Sequence, residues 1–208
     1  MPTSCVYVLG TGGHAKVVVD AFAAPRGSLA DVRLVDDDIN RIGHNMAGKV
    51  IEESTIIKAG DRFHVAIGSN SVRSRRFIEI EARGAEAVSI IHPKSVVASS
   101  AKIARGVFVA GSAVIGPDSI VGDGTIINHA AVVDHDCVVG RFCHIAPGAV
   151  LGGGVTLGDE VLVGSGAVVL PSVSLARGVV IGAGAVVTKS IMNAGTFVGS
   201  PAREVNRG

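Results

Sequence analysis

Aliphatic residues recur at every sixth position over a long stretch of the chain. The stops run Val97, Ile103, Val109, Ile115, Val121 and Ile127, then Val133, Val139, Ile145, Leu151 and Leu157, and end with Val163, Val169, Leu175, Ile181 and Val187. There are sixteen of them without an insertion. A period of six fits neither a helix, at about 3.6 residues per turn, nor a flat strand with two alternating faces. It fits a coil of three short strands joined by corners, each strand turning one large side chain inward. The residue after a stop is mostly small, as at Ala98, Gly116, Gly122, Gly140 and Gly158. That predicts tight corners, where the residue tolerates unusual backbone angles and leaves room for the next coil. Two positions before a stop lies another small or β-branched residue, among them Ala113, Ser119, Thr125, Cys137 and Cys143, suited to filling the rest of a narrow interior. Three hexads make one coil, so the ladder predicts about five coils, each rising by about 4.8 Å.

This is the hexapeptide repeat of a left-handed parallel β-helix, predicted for residues 92–208 with a C-terminal tail. Two corners break the small-residue rule with polar residues, Asn128 and Asp134, and Asp134 opens the run Asp134-His135-Asp136.

The pattern changes in residues 1–91. The apolar run Ser4 to Leu9 reads as a buried strand and ends at Gly10-Thr11-Gly12-Gly13-His14. Ala15 to Ala24 has helical spacing, Val32 to Val35 is a second strand running into Asp36-Asp37-Asp38, and His64 to Gly68 is a third. Asn70 to Ala82 reads as a helix, and Val88 to Ile91 as a further strand. Strands alternating with helices predict a small, Rossmann-like parallel α/β unit. A strand, a glycine-rich turn and a helix form a phosphate-binding arrangement, because backbone N–H groups and the helix N-terminus both face the anion. Acidic residues at the next strand end can accept hydrogen bonds from a ribose or a base. The turn departs from the dinucleotide fingerprint: Ala15 stands at the third glycine position and His14 interrupts the run.

Composition narrows the classes. A net charge of +1 over 208 residues supplies no field for nucleic acid or an acidic membrane. Aromatics are 3% with no Trp, so base-stacking platforms are not expected. No apolar run approaches membrane-spanning length, and the N-terminus shows no signal-peptide pattern, so a cytoplasmic protein is expected. The three cysteines lack metal-ligand spacing, and no metal is expected. Arg73, Arg75 and Arg76 form the densest basic group, assigned to a helix face.

Gly10-Thr11-Gly12-Gly13-His14-Ala15-Lys16-Val17-Val18 ahead of a hexapeptide ladder resembles the sugar acetyltransferases. These include bacterial nucleotide-4-amino-sugar N-acetyltransferases and sialic acid O-acetyltransferases. Asp36-Asp37, Ala66-Ile67-Gly68-Ser69-Asn70, Ile91-His92-Pro93, His135-Asp136-Cys137 and Val198-Gly199-Ser200-Pro201-Ala202-Arg203 agree with it in order. The resemblance implies a homotrimer that takes acetyl-CoA and a nucleotide-linked amino sugar. It implies that Gly12, Gly13, His14, Asp36, Asp37 and Gly68 hold the nucleotide sugar and that Asn128 places the sugar. It makes His135 the general base, with Asp136, where the family often has glutamate, as its acidic neighbour. His144, Gly153, Ser165 and Ala183 match positions lining the acetyl-CoA slot, with Ala183 where glycine is common.

The chemistry fits few parts. A His titrating near neutrality is a natural base for an amine attacking a thioester. A carboxylate beside it fixes the tautomer, and an amide such as that of Gly153 can meet the developing oxyanion. Adjacent strand residues face opposite ways, so an Asp136 bond to His135 needs corner geometry, and Asp134 is the alternative orienter. Three functions remain open at this stage. The first is N-acetylation of a nucleotide-linked amino sugar for bacterial surface glycan synthesis. The second is O-acetylation of sialic acid or another sugar. The third is a non-catalytic nucleotide-sugar-binding trimer. The nucleotide (UDP, GDP or dTDP) is not specified.

Overall fold

A computed structural model of the chain describes residues 5–25 and 28–205. Ser4, the expected start of the first strand, lies outside the described residues. The first unit contains β1 (Val6–Leu9), α1 (Gly13–Ala23), β2 (Val32–Asp36), β3 (Asn45–Met46), β4 (Lys49–Glu53), β5 (Arg62–Val65), α2 (Asn70–Ala82) and β6 (Glu86–Ala87). Its sheet has the order β3-β4-β2-β1-β5-β6, parallel except for the β3–β4 pairing. Val6, Val8, Leu9, Leu34, Val35, Phe63 and Val65 are almost wholly buried, so the central strands are covered on both faces, as parallel strands must be. The α2 helix has the bounds that its sequence predicts. The β3–β4 hairpin was not expected, because both strands carry mostly polar or half-exposed residues.

The rest of the described chain is a three-faced parallel β-helix. Its faces carry eight, six and five strands. Each strand pairs with the one a full coil later: Phe108 with Ile126, Val114 with Val132, and Ile120 with Val138. The first face begins at Ile90–Ile91, which pairs with Phe108–Val109. The stretch read as a last α/β strand therefore splits: Glu86–Ala87 completes the first sheet, and Ile90–Ile91 starts the β-helix. Every stop from Val109 to Val187 is buried, while Val97 and Ile103 near the first coil are half-buried. Burying one such side chain contributes ~1.5–3 kcal/mol, which makes the ladder the main source of stability here.

The corner rule needs one correction. The small residue after each stop does not carry the unusual backbone angle. It is small because the next coil passes against it: a Cβ on Gly116 would lie 2.7 Å from the His135 amide nitrogen, and one on Gly140 2.6 Å from the Gly158 carbonyl carbon. Positive φ falls two residues later, at Ser112, Asp118, Ala130, Asp136 and Phe142 among others. Cys137 and Cys143 are buried inside the coil as expected.

The first unit docks on the eight-stranded face. Ile90, Phe108 and Ile126 point outward from that face and share a core with Val6, Val18, Phe22 and Leu34. Phe77 of α2 meets Phe142 edge-on at a corner of the β-helix, 5.3 Å between ring centroids.

Candidate active site

The corner between the six- and five-stranded faces carries the Asp134-His135-Asp136 run. Ser119 and Cys137 brace it from inside. The Ser119 hydroxyl donates to the Asp134 carbonyl (2.6 Å) and accepts from the Cys137 amide (3.1 Å), and Cys137 Sγ reaches the Gly152 carbonyl (3.3 Å). Asp136 has φ 58°, a left-handed conformation that Asp tolerates better than most residues. That turn folds the short carboxylate back onto the preceding ring, so Asp136 Oδ2 lies 2.7 Å from His135 Nδ1. Asp134 does different work: its Oδ1 accepts the His135 backbone N–H at 2.8 Å. Between the two candidate orienters, Asp136 holds the ring and Asp134 holds the backbone.

An ionised Asp136 fixes the proton on Nδ1 and leaves Nε2 as an acceptor. The hydrogen bond to Asp136, then the charge of Asp134, push the His135 pKa above its ordinary value, which strengthens it as a base. The ring is 60% exposed, so incoming substrate can reach it. Nε2 lies over Gly153 of the next coil, where an added Cβ would approach to 2.5 Å. The Gly153 amide has no partner among the described residues and remains available as a donor.

A second constellation sits where the first unit meets the eight-stranded face. His144 projects outward there and is covered by the N-terminal unit. Its Nε2 lies 3.1 Å from Asn128 Nδ2. The Asn128 amide donates, so Nε2 accepts and the proton sits on Nδ1. Asn128 Oδ1 in turn takes the His129 N–H at 2.8 Å. Burial lowers the His144 pKa to about 4 and the His14 pKa to about 3, so both rings are neutral at pH 7. His14 lies edge-on to Phe108 at 5.2 Å, and its Nε2 is buried without a hydrogen-bond partner.

Gly12, Gly13, His14, Asp36 and Gly68 line one open cleft of about 230 Å³. Gly10 is the glycine that the turn itself requires, with φ 98° and Ile67 against its missing side chain. Gly12 and Gly13 have open space where a Cβ would sit, so their bareness keeps the α1 N-terminus accessible. Asp36 shapes this loop: one carboxylate oxygen accepts from the Thr11 amide and hydroxyl, the other from the amides of Asp37 and Asp38. Asp37 faces away from the cleft, bonded to Ser54 and ion-paired with Arg76 at 2.6 Å. Sequence reasoning missed Arg41, which lines the cleft and donates to the Thr11 carbonyl at 2.9 Å. No periodicity marked it, because it lies in an irregular segment. Gly68 also borders a second cleft of about 400 Å³ with Asn70, His144, Glu160 and Leu162.

Within one chain these groups do not all converge. His135 and Gly153 share one corner, and that corner lies opposite the face carrying the N-terminal unit. Ser165 and Ala183 are exposed on a different corner, after the eight-stranded face. Among the described residues no group of three or more His, Cys, Asp or Glu could hold a metal ion, and no helix is long and apolar enough to cross a membrane.

Comparison with known proteins bears on this arrangement. Residues 5–80 match the PglD N-terminal domain and residues 77–176 the GMPPB C-terminal domain. PerB from Caulobacter crescentus, solved with CoA and GDP-perosamine, is 34% identical over 98% of both chains, with a TM-score of 0.89. A histidine-to-alanine variant of GDP-perosamine N-acetyltransferase from the same organism, also with CoA and GDP-perosamine, is 32% identical over 98% of both chains at a TM-score of 0.89. The acetyltransferase domain of PglB from Neisseria gonorrhoeae is 34% identical over 98% of this chain and 100% of its own, with a TM-score of 0.91. No curated protein sequence matches. With a left-handed β-helix, a small α/β unit and this level of identity over nearly its whole length, the chain belongs to the hexapeptide-repeat sugar acetyltransferases, a family of acyltransferases.

Proposed function

We propose that the protein transfers an acetyl group from acetyl-CoA to the amino group, at the 4-position, of a nucleotide-linked amino sugar. The observation that carries this reading is the His135–Asp136 pair with a free, accessible Nε2 above Gly153. The amine nitrogen attacks the thioester carbonyl and forms the N–C bond. His135 Nε2 takes the amine proton, and Asp136 stabilises the resulting imidazolium. The Gly153 amide faces the oxygen as charge develops on it. The C–S bond then breaks, His135 returns the proton to the sulfur, and CoA leaves as its thiol. The relatives solved with CoA and GDP-perosamine support this pairing of substrates.

In this reading the cleft at Gly12, Gly13, His14 and Gly68 holds the nucleotide, with the diphosphate over the α1 N-terminus. Arg41 supplies the cation of that cleft. Asn128 borders the sugar, and His144, Gly153, Ser165 and Ala183 line the acetyl-CoA slot. The working assembly is a homotrimer in the cytoplasm, where one chain's cleft faces a neighbour's His135. The separation of these groups within a single chain supports that assembly.

Replacing His135 by Ala tests the mechanism. Acetyl transfer to a nucleotide 4-amino sugar, followed as CoA release, is expected to fall by about 10²–10⁴-fold. Near wild-type transfer by the variant would sink the assigned base. A panel of UDP-, GDP- and dTDP-linked amino sugars, with free sialic acid beside them, separates N- from O-acetylation. Turnover of sialic acid alone would overturn the acceptor assignment.

A further inference from the structure

Arg73 is the largest side chain that the fold buries completely, at 1% exposure. The sequence placed it with Arg75 and Arg76 on a helix face, and in α2 it turns inward instead. Among the described residues its guanidinium forms no ion pair. Glu160, which acts on it through space, is bonded to Arg177 at 2.6 Å. Arg73 donates only to neutral oxygens. Nε reaches the Gly124 carbonyl (2.6 Å), and Nη2 reaches those of Phe142 and Cys143 (2.9 and 3.0 Å) and Asn70 Oδ1 (2.9 Å). Nη1 reaches the carbonyls of Ile67 and Gly68, both at 3.0 Å.

These oxygens belong to two bodies. Gly124, Phe142 and Cys143 lie at one corner of successive coils, whereas Ile67 and Gly68 follow β5 in the N-terminal unit. Asn70 extends the bridge by one more coil through its donation to the Glu160 and Val161 carbonyls (3.0 and 3.2 Å). A planar fork with five N–H groups can serve several carbonyls at fixed angles, whereas an ammonium cannot. A simple clamp between the bodies needs only the coil carbonyls. The Gly68 carbonyl is different, because Gly68 borders both clefts, one of them together with His144.

We propose that Arg73 is a positioning residue of the transfer site: it holds the Gly68 carbonyl against His144, keeps Nε2 of that ring turned to Asn128, and so sets the wall between the nucleotide cleft and the acetyl-CoA side. This rests on the proposed acetyl transfer. Arg73 touches no reacting atom. It acts through Gly68, which fixes the His144 tautomer, and through that tautomer on the donor and acceptor that Asn128 presents.

The test compares wild-type protein with Arg73→Lys and Arg73→Met, with Asn70→Ala as a milder variant that keeps the cation. The ¹⁵N signals of the His144 ring are assigned by their loss in His144→Gln. Wild-type protein is expected to show the Nδ1–H tautomer, and both Arg73 variants a mixture of the two tautomers. On folded enzyme well below its melting temperature, kcat/KM for the nucleotide amino sugar should fall at least tenfold. The KM for acetyl-CoA should change by less than that factor. Asn70→Ala should shift both readouts the same way by less, and it decides the matter if the Arg73 variants do not fold. A wild-type tautomer in the variants overturns the proposal. A lowered melting temperature with unchanged kinetics overturns it too, because a structural brace alone does that. If wild-type protein acetylates no nucleotide amino sugar, the functional reading fails, and the tautomer measurement still decides the link from Arg73 to His144.

Discussion

Gly153 shows how a single missing side chain makes room for the chemistry. It occupies in its own coil the place that His135 occupies one coil earlier, and the imidazole rests on its bare Cα. A methyl there would meet Nε2 at 2.5 Å and Cε1 at 2.6 Å, closer than real contacts allow. The exposed ring would swing aside rather than the coil shifting, so fold stability is expected to change by less than about 0.5 kcal/mol, as for other surface substitutions. A displacement of the base by ~1 Å costs on the order of 10²-fold in rate. Gly153→Ala should therefore keep its melting temperature and lose about two orders of magnitude in kcat. A variant with wild-type kcat would mean that the ring does not work from this position. At this scale the sequence named His135, Asp136 and Gly153 but could not choose between Asp134 and Asp136. The choice depends on the positive φ at Asp136, and no pattern of residue types showed that this position, rather than the one after the stop, turns left-handed.

The elements meet across a junction lined with neutral histidines. His64 of β5 is 1% exposed, and its Nδ1–H donates to the Val88 carbonyl at 2.9 Å, with the Phe108 ring 6.2 Å away. Burial lowers its pKa to about 4, as it does for His144, and lowers that of His14 to about 3. An unfolded chain would titrate these groups near 6.5, so between about 6.5 and 4 it binds protons that the folded chain refuses. The stability from burying them neutral is whole above pH 6.5 and drains away as pH falls toward 4. Each histidine contributes at most ~1.4 kcal/mol per pH unit to that slope. Urea midpoints between pH 7 and pH 4.5 should drop steadily, and His64→Gln should flatten the slope. An unchanged slope in that variant would remove His64 from the account. None of this was visible in the sequence, where His64 is one polar residue in an apolar strand. The hexad ladder was legible because a period is geometry in itself. The Asn70–Ala82 helix was legible from its spacing, although that spacing did not show that Arg73 turns inward.

At the scale of the whole molecule, the six-stranded face poses the sharpest question. Its outward positions are Val96, Val114, Val132, Val150, Val168 and Val186, an unbroken valine stripe in which Val96 is 63% exposed and the other five are half-buried. A monomer gains nothing from an apolar sheet face open to water, whereas a cyclic assembly buries it against a copy of the chain. His135 stands at one edge of that stripe, and the nucleotide cleft stands on another face. In the proposed homotrimer each site takes its base from one subunit and its nucleotide cleft from the next. Two dead variants can test this together. His135→Ala lacks the base, and Gly12→Leu fills the cleft at a position where a side chain meets no protein atom. Each alone should be inactive but folded. Coexpressed in equal amounts with two affinity tags and purified through both, they form mixed trimers. Every mixed trimer then pairs an intact His135 with an intact cleft at one of its three sites, so the mixed preparation should recover about a third of wild-type activity. A preparation that stays inactive would mean that each chain reacts with its own His135, and the division of the site between subunits would fall.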